Sequence, residues 1–162
     1  MSRVPTSIFW VDDDLLTTAR FLVEAMTIRG FTVNGAKSIR ECLQKLGQYS
    51  NVGPPPDAVV LDIILSVSPA DIEAALAFGF AVGSELDNAR RAGAFLLRVI
   101  KKSLPDVPVI VLTNLSEGSD VGANLLTELR QDKAVRAVRS KPVRADELEA
   151  LVREAITQRG HG

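Results

Sequence analysis

The most constraining feature of the sequence is its alternation of short apolar runs with longer amphipathic stretches. Five apolar runs predict strands, at 7–11 (SIFWV), 31–33, 58–61 (AVVL), 109–112 (VIVL) and 135–138. Apolar residues at helical spacing predict helices at 15–29, from Ser38 onward, and at 94–102, 124–130 and 146–159. The VIVL run is apolar on both faces, which is typical of a central parallel strand. The chain is therefore expected to form an α/β fold, a parallel sheet covered by helices on both sides.

Length, charge and cysteine content restrict the functions that the chain can have. With 162 residues, a single domain over 1–162 is expected. The net charge of -1 argues against nucleic acid as a partner, because phosphate binding needs a concentrated basic surface. Cys42 is the one cysteine, so no internal disulfide forms, and we expect it to be a buried small hydrophobe. The sequence shows neither a signal peptide nor an apolar run long enough to span a membrane, which favours the cytoplasm.

Polar side chains follow four of the five predicted strands at the point where each strand ends. They are Asp12, Asp13 and Asp14 after the first strand, Asp62 after the third, Thr113 after the fourth and Lys141 after the fifth. In parallel sheets these ends meet at one edge, where chemistry is located. Carboxylates that converge there repel one another unless a cation intervenes, and hard oxygen ligands favour Mg²⁺ or Mn²⁺. A lysine opposite them would complete a pocket for a phosphoryl group.

The segments FWVDDD, VVLDIIL, VIVLTN and RSKP occur in this order, each at a strand end. Together they resemble the four characteristic stretches of the receiver domains of two-component response regulators, and the resemblance covers most of the chain. It implies a flavodoxin-like three-layer sandwich with a five-stranded parallel sheet of order 2-1-3-4-5. No glycine-rich phosphate loop is present, which argues against a nucleotide-binding version of this architecture.

The resemblance also implies a role for each site residue. Asp62 would be the phosphoacceptor, and Mg²⁺ would be held by Asp12, Asp13, Asp62 and the main-chain carbonyl of Ile64. Thr113 and Lys141 would contact the phosphoryl oxygens, and the Lys141–Pro142 peptide bond would be cis. The implied partners are a histidine kinase or a histidine phosphotransfer protein and a downstream protein target, with no turnover of an external substrate. No attached output domain is expected, so signalling would use protein–protein contact.

The sequence departs from the receiver pattern in three places. The spacing from Asp62 to Thr113 is longer than usual, and the additional piece, approximately 66–91, predicts one extra helix through IEAALAFGFAVG. This insertion would be either a further packing layer or a surface for a partner or a homodimer. Val138 stands where receivers usually have an aromatic residue, which places the usual switch in doubt. Asn114 stands where a smaller residue is usual.

Two other functions compete with the receiver interpretation. FWVDDDLL also fits the D-x-D pattern of haloacid-dehalogenase-like phosphatases, with Asp12 as nucleophile and Asp14 as acid, although Asp14 is most simply a helix N-cap. A degenerate receiver could serve only as a binding scaffold. If the chain is an active receiver, Ile64 and Leu115 would flank the phosphoryl group, and neither side chain can activate water. Slow self-dephosphorylation is therefore expected.

Overall fold

The computed structural model describes residues 4–114 and 120–159. Five parallel strands form one sheet in the order β2-β1-β3-β4-β5. The strands are β1 (Thr6–Val11), β2 (Phe31–Ala36), β3 (Ala58–Asp62), β4 (Val109–Thr113) and β5 (Val135–Ser140). The helices are α1 (Arg20–Ile28), α2 (Ile39–Asn51), α3 (Pro69–Leu76), α4 (Glu85–Ser103), α5 (Asp120–Gln131) and α6 (Ala145–Arg159). The expected α/β fold and strand order are confirmed.

Strand alternation divides the core into two apolar clusters, one on each face of the sheet. On one face, β1 contributes Phe9 and Val11, which pack against residues of α2, α3, α4 and α5; we call this the four-helix face. On the other, Ile8 and Trp10 pack against residues of α1 and α6; we call this the two-helix face. Cys42 is buried in the four-helix face as expected, and burial raises the pKa of its thiol.

Local side-chain chemistry explains where α2 and α3 begin. The Ser38 hydroxyl accepts a hydrogen bond from the amide of Glu41 at 3.1 Å, which caps α2. Ser68 and Asp71 form a reciprocal capping box at the start of α3, with Pro69 at the first helical position. The Oδ1 of Asp71 also accepts a hydrogen bond from the amide of Arg40 at 2.9 Å. The buried carboxylate of Asp71 thus ties the first turns of α2 and α3 together.

The first helix begins later than its apolar spacing predicts. Residues 13–19 form turns, and α1 starts at Arg20 with no side-chain cap on Ala19. The interpretation of Asp14 as an N-cap is therefore wrong. Its main-chain carbonyl instead accepts hydrogen bonds from the amides of Thr17 and Ala19, each at 3.0 Å. These turns replace the first helical turn that the sequence suggested.

The segment after β3 contains the expected extra helix, but with different bounds. The helix α3 ends at Leu76, before the phenylalanines, and Gly79 adopts a φ of 83° that favours glycine. The next helix, α4, begins at Glu85 under a Ser84 cap, well before the predicted start at 94. Phe80 is buried and packs edge-on against Phe95, with ring centroids 5.1 Å apart.

Other side chains of the same segment remain at the surface. Leu76, Phe78, Val82 and Leu86 are all exposed. The segment therefore contributes both packing, through Phe80, and exposed apolar surface. Among the described residues, no helix has the length and apolar character that a membrane crossing requires.

Candidate functional site

Two buried carboxylates emerge at the carboxyl edge of the sheet on its two-helix face. Asp62 ends β3 and continues the side of the strand that carries Val60, while Asp12 follows β1 on the side that carries Trp10. Asp12 is 0% exposed and Asp62 is 3% exposed. Since β1 and β3 are adjacent and parallel, their ends bring the two carboxylates together.

Lys141 joins these two carboxylates. Its Nζ donates to the Oδ2 of Asp12 and to the Oδ2 of Asp62, each at 2.9 Å. The lysine reaches this position from the segment after β5, where its amide donates to the carbonyl of Thr113 at 2.9 Å. The Lys141–Pro142 bond is cis, as expected. Residues far apart in sequence thus form one charged cluster.

Asp13 completes a set of carboxylates that could hold a metal ion. One oxygen from each of Asp12, Asp13 and Asp62 lies within 4.8 Å of the others. Asp13 is partly exposed, and its Oδ2 accepts a hydrogen bond from the amide of Ser66 at 3.0 Å. Three convergent carboxylates with one open to solvent are a donor set that fits Mg²⁺, which keeps several waters when bound to proteins. The residues present therefore fit the metal that the resemblance implies.

Main-chain amides orient the two buried carboxylates. The amide of Asp14 donates to the Oδ1 of Asp12 at 2.8 Å, and the amide of Ile64 donates to the Oδ1 of Asp62 at 3.1 Å. The second carboxylate oxygen of each aspartate is the one that Lys141 contacts. Each carboxylate is thereby held between a turn amide and the lysine, which fixes its position.

The charges of the cluster are shifted by burial and by one another. Burial raises the pKa of Asp62 to about 6, against the lowering effect of the hydrogen bond and charge of Lys141; the charge of Asp12 raises it further. For Lys141, burial favours the neutral form, but hydrogen bonds to Asp62 and Asp12 outweigh it and raise the pKa of the lysine. Near neutral pH Lys141 is therefore a cation, and the carboxylates of Asp62 and Asp12 stabilise its charge.

Thr113 ends β4, beside Asp62, and is fully buried. Within β4, Val109 and Val111 belong to the four-helix face, so strand alternation places Thr113 on that side. Val138 is partly buried against the same cluster and pairs with Val111, so an aliphatic residue occupies this part of β5. Asn114 follows β4 and is exposed. Leu115, the second residue expected to flank the phosphoryl group, lies outside the described residues.

The sequence interpretation missed Gly93, which positions the strand end that carries Asp62. An added Cβ at this glycine would lie 2.1 Å from the carbonyl oxygen of Ile63 and 2.4 Å from its Cα. The backbone of α4 therefore contacts the backbone of the residue that directly follows Asp62. A glycine within the amphipathic stretch ARRAGAFLL was the available signal, because such a glycine usually has a packing reason.

Comparison with known proteins supports the fold. No family model matches the chain, and no curated protein matches it. Among solved structures, a response regulator receiver domain protein from Clostridium thermocellum has a TM-score of 0.63 at 22% identity, covering 96% of this chain and 98% of that one. A CheY-like receiver domain protein from Methanospirillum hungatei has a TM-score of 0.64 at 18% identity, with 97% and 98% covered.

A two-component response regulator from Cytophaga hutchinsonii gives a similar result, with a TM-score of 0.64 at 17% identity, covering 96% of this chain and 99% of that one. Each likeness covers nearly the whole of both chains. The chain therefore has the fold of response regulator receiver domains.

Proposed function

We propose that this protein is a response regulator receiver that accepts a phosphoryl group on Asp62 from a phosphohistidine. The observation that carries this proposal is the contact of Lys141 with both Asp12 and Asp62, each at 2.9 Å, beside the carboxylate of Asp13. A cation, a carboxylate set suited to Mg²⁺ and an oriented nucleophile are the parts that phosphoryl transfer needs. The receiver fold of the chain supports the same role.

Asp12, Asp13 and Asp62 would hold Mg²⁺, and the carbonyl of Ile64 is proposed as a further ligand. When bound, the metal supplies charge neutralisation for the phosphoryl oxygens. The ammonium of Lys141 adds a second positive charge. Thr113 ends the neighbouring strand at the same edge of the sheet as Asp62, and we propose that it donates a hydrogen bond to a phosphoryl oxygen from the side opposite Lys141. In the transfer, an Oδ of Asp62 forms the bond to phosphorus while the P–N bond to the histidine breaks. The histidine nitrogen keeps the bonding electron pair.

The proposed partners are a histidine kinase or a histidine phosphotransfer protein, and a downstream protein that reads the phosphorylated state. The exposed side chains of Leu76, Phe78 and Val82 support a contact surface on the segment after β3, where the chain carries its extra helix. A homodimer through this surface is one form that such a contact could take. The proposed location is the cytoplasm.

The proposal is tested by incubating the protein with Mg²⁺ and acetyl phosphate and measuring its intact mass. We expect one added phosphoryl group in the wild type and none in Asp62→Ala. The matched control is Asp106→Ala, because Asp106 is an exposed carboxylate in the segment that precedes β4, at the opposite edge of the sheet. Addition of the phosphoryl group to Asp62→Ala, or no addition to folded wild type, contradicts the proposal.

The same preparation separates the two competing functions. A phosphatase that uses Asp12 and Asp14 would turn over p-nitrophenyl phosphate, whereas we expect almost no turnover. Lys141 contacts Asp12 and Asp62 at the same distance of 2.9 Å, so the turnover measurement, rather than this contact, separates the two functions. A binding scaffold would take up no phosphoryl group under any of these conditions.

A further inference from the structure

A largely apolar groove lies on the two-helix face of the sheet, next to the acidic site. Its volume is about 490 Å³. Trp10 and Leu112 of the sheet line it, together with Leu22 and Ala25 of α1 and Val143 after β5. This volume falls within the range of about 300–1,000 Å³ that is typical of small-molecule sites. The turns at 13–19, which precede the start of α1 at Arg20, border the groove. Asp14 and Thr18 of these turns line it.

Trp10 carries an unsatisfied polar group in this region. Its side chain is 0% exposed, and within the described part of the chain its Nε1 is the one buried side-chain nitrogen or oxygen without a hydrogen-bond partner. Buried indole N–H groups usually find an acceptor, because leaving one unpaired costs free energy. A single buried water would not satisfy this N–H well, because a buried water needs two to four polar partners and Trp10 belongs to an apolar cluster.

The rim of the groove restricts the charge of an occupant. The carboxylates of Asp12 and Asp14 line its polar end. The ammonium of Lys141 also lines it, but this charge is already paired with Asp12 and Asp62. Without Mg²⁺ to offset the acidic cluster, an anion in the groove would therefore meet carboxylates and a lysine that is already paired, which disfavours it. Phe21 lines the groove and is 76% exposed, so an apolar ring could cover it.

We propose that this groove binds a small neutral ring compound that presents a hydrogen-bond acceptor to the indole N–H of Trp10. The ring of the compound lies against Leu22, Ala25 and Leu112. A carbonyl or ring-nitrogen acceptor satisfies Trp10. The N–H is buried in this structure, so the proposal requires a displacement of the α1 wall that uncovers it; α1 begins at Arg20 without a side-chain cap on Ala19. This assignment does not depend on the phosphorylation of Asp62.

A matched pair of probes tests the assignment. Indanone and indane have the same fused-ring skeleton, but only indanone carries a carbonyl. Trp10 is the single tryptophan of the chain, so its indole gives one peak in a proton–nitrogen correlation spectrum. We expect indanone to shift this peak saturably and to bind roughly 2- to 12-fold more tightly than indane, the ratio that one net hydrogen bond provides.

Three variants, one of them a control, locate the binding. In Ala25→Phe the added ring fills the groove, and saturable binding of both probes should be lost. Ala77→Phe, at an exposed position after α3, is the matched control and should bind like wild type. In Trp10→Phe, followed by saturation-transfer NMR of the probes, the preference for indanone should disappear. Because Ala25→Phe and Ala77→Phe differ only in location, they decide the question even where Trp10→Phe fails to fold.

Three results would overturn the assignment. The first is the absence of saturable binding by either probe. The second is wild-type affinity in Ala25→Phe. The third is an unchanged preference for indanone in Trp10→Phe.

Discussion

The two faces of the sheet differ in how tightly helices cover them. On the four-helix face, the backbone of α4 approaches that of Ile63 so closely that Gly93 has no room for a Cβ. On the two-helix face, α1 starts late and a groove of about 490 Å³ remains beside Trp10. Asp12 and Asp62 emerge on this second face. The closely packed four-helix face thus positions the end of β3, and the more open two-helix face leaves space beside the carboxylates of Asp12 and Asp62.

The largest effect is expected where α4 meets the backbone after β3. Gly93→Ala places a methyl group into the carbonyl of Ile63, so either α4 or the segment after Asp62 must move. We expect a loss of about 4 kcal/mol in the free energy of unfolding, measured by urea titration. The control is Gly47→Ala in α2, where an added Cβ meets nothing within 4 Å. That variant should be stabilised by about 0.5–1 kcal/mol. Equal stability of the two variants would contradict the close packing.

A second comparison concerns the two phenylalanines of the segment after β3. Phe80 is buried against Phe95, whereas Phe78 is 53% exposed. Phe80→Ala should lower the free energy of unfolding by about 3 kcal/mol, and Phe78→Ala by less than about 1 kcal/mol. Urea titration of both variants checks this. A small effect of Phe80→Ala would mean that this segment adds no packing to the four-helix face.

On the two-helix face, stability should depend on the ionisation of Asp62. Folding raises its pKa from 3.8 to about 6, so the folded protein holds this proton more tightly than the unfolded chain. The metal-free protein therefore gains stability from this group at low pH and loses it as the pH rises through 6. Asn cannot ionise, so Asp62→Asn removes the loss of stability that ionisation of Asp62 causes as the pH rises. Since Lys141 gives up one partner, we expect a net gain of about 1–2 kcal/mol above pH 7.

Urea titration of Asp62→Asn and wild type across this pH range, without divalent metal, measures the difference. Asp106→Asn serves as the control for removal of an exposed carboxylate and should follow wild type. If Asp62→Asn is less stable than wild type above pH 7, the pair with Lys141 stabilises the fold more than burial of the carboxylate costs.

The smallest effect is expected on the lifetime of the phosphorylated form. Ile64 lies two residues after Asp62 and cannot orient water, so Ile64→Asn should shorten the lifetime by roughly tenfold or less. Decay of the added phosphoryl group, followed by intact mass, checks this. A decay in Ile64→Asn as slow as in wild type would show that this side chain does not limit access of water.

Much of the fold could be predicted because local signals agreed with the long-range pattern. The hydroxyls of Ser38 and Ser68 cap α2 and α3, as serines commonly do at helix starts, and the apolar runs became strands. The start of α1 could not be predicted, because apolar spacing from Leu15 suits a helix equally well. In the structure, the amide of Asp14 donates a hydrogen bond to the carboxylate of Asp12, and a turn forms in place of the helix start. This local hydrogen bond competes with a helical turn, and the apolar spacing does not show which of the two forms.

The candidate site was also partly predictable. Strand ends in a parallel sheet converge, so Asp12, Asp62 and Lys141 could be expected to meet, and they do. The glycine within ARRAGAFLL indicates a close packing contact, but its partner could not be derived in the same way, since it depends on the approach of α4 to the backbone after β3. The roles of Thr113 and Ile64 toward a phosphoryl group stay predictions.

The central claim is that Asp12, Asp13, Asp62 and Lys141 form one metal and phosphoryl site. The most direct measurement is a crystal structure of the protein with Mg²⁺ and beryllium trifluoride, which mimics a phosphoryl group. We expect the beryllium on an oxygen of Asp62, the metal against Asp12 and Asp13, and Lys141 in contact with a fluorine. A structure in which Asp62 stays unmodified and still paired with Lys141 at saturating concentrations would contradict the account.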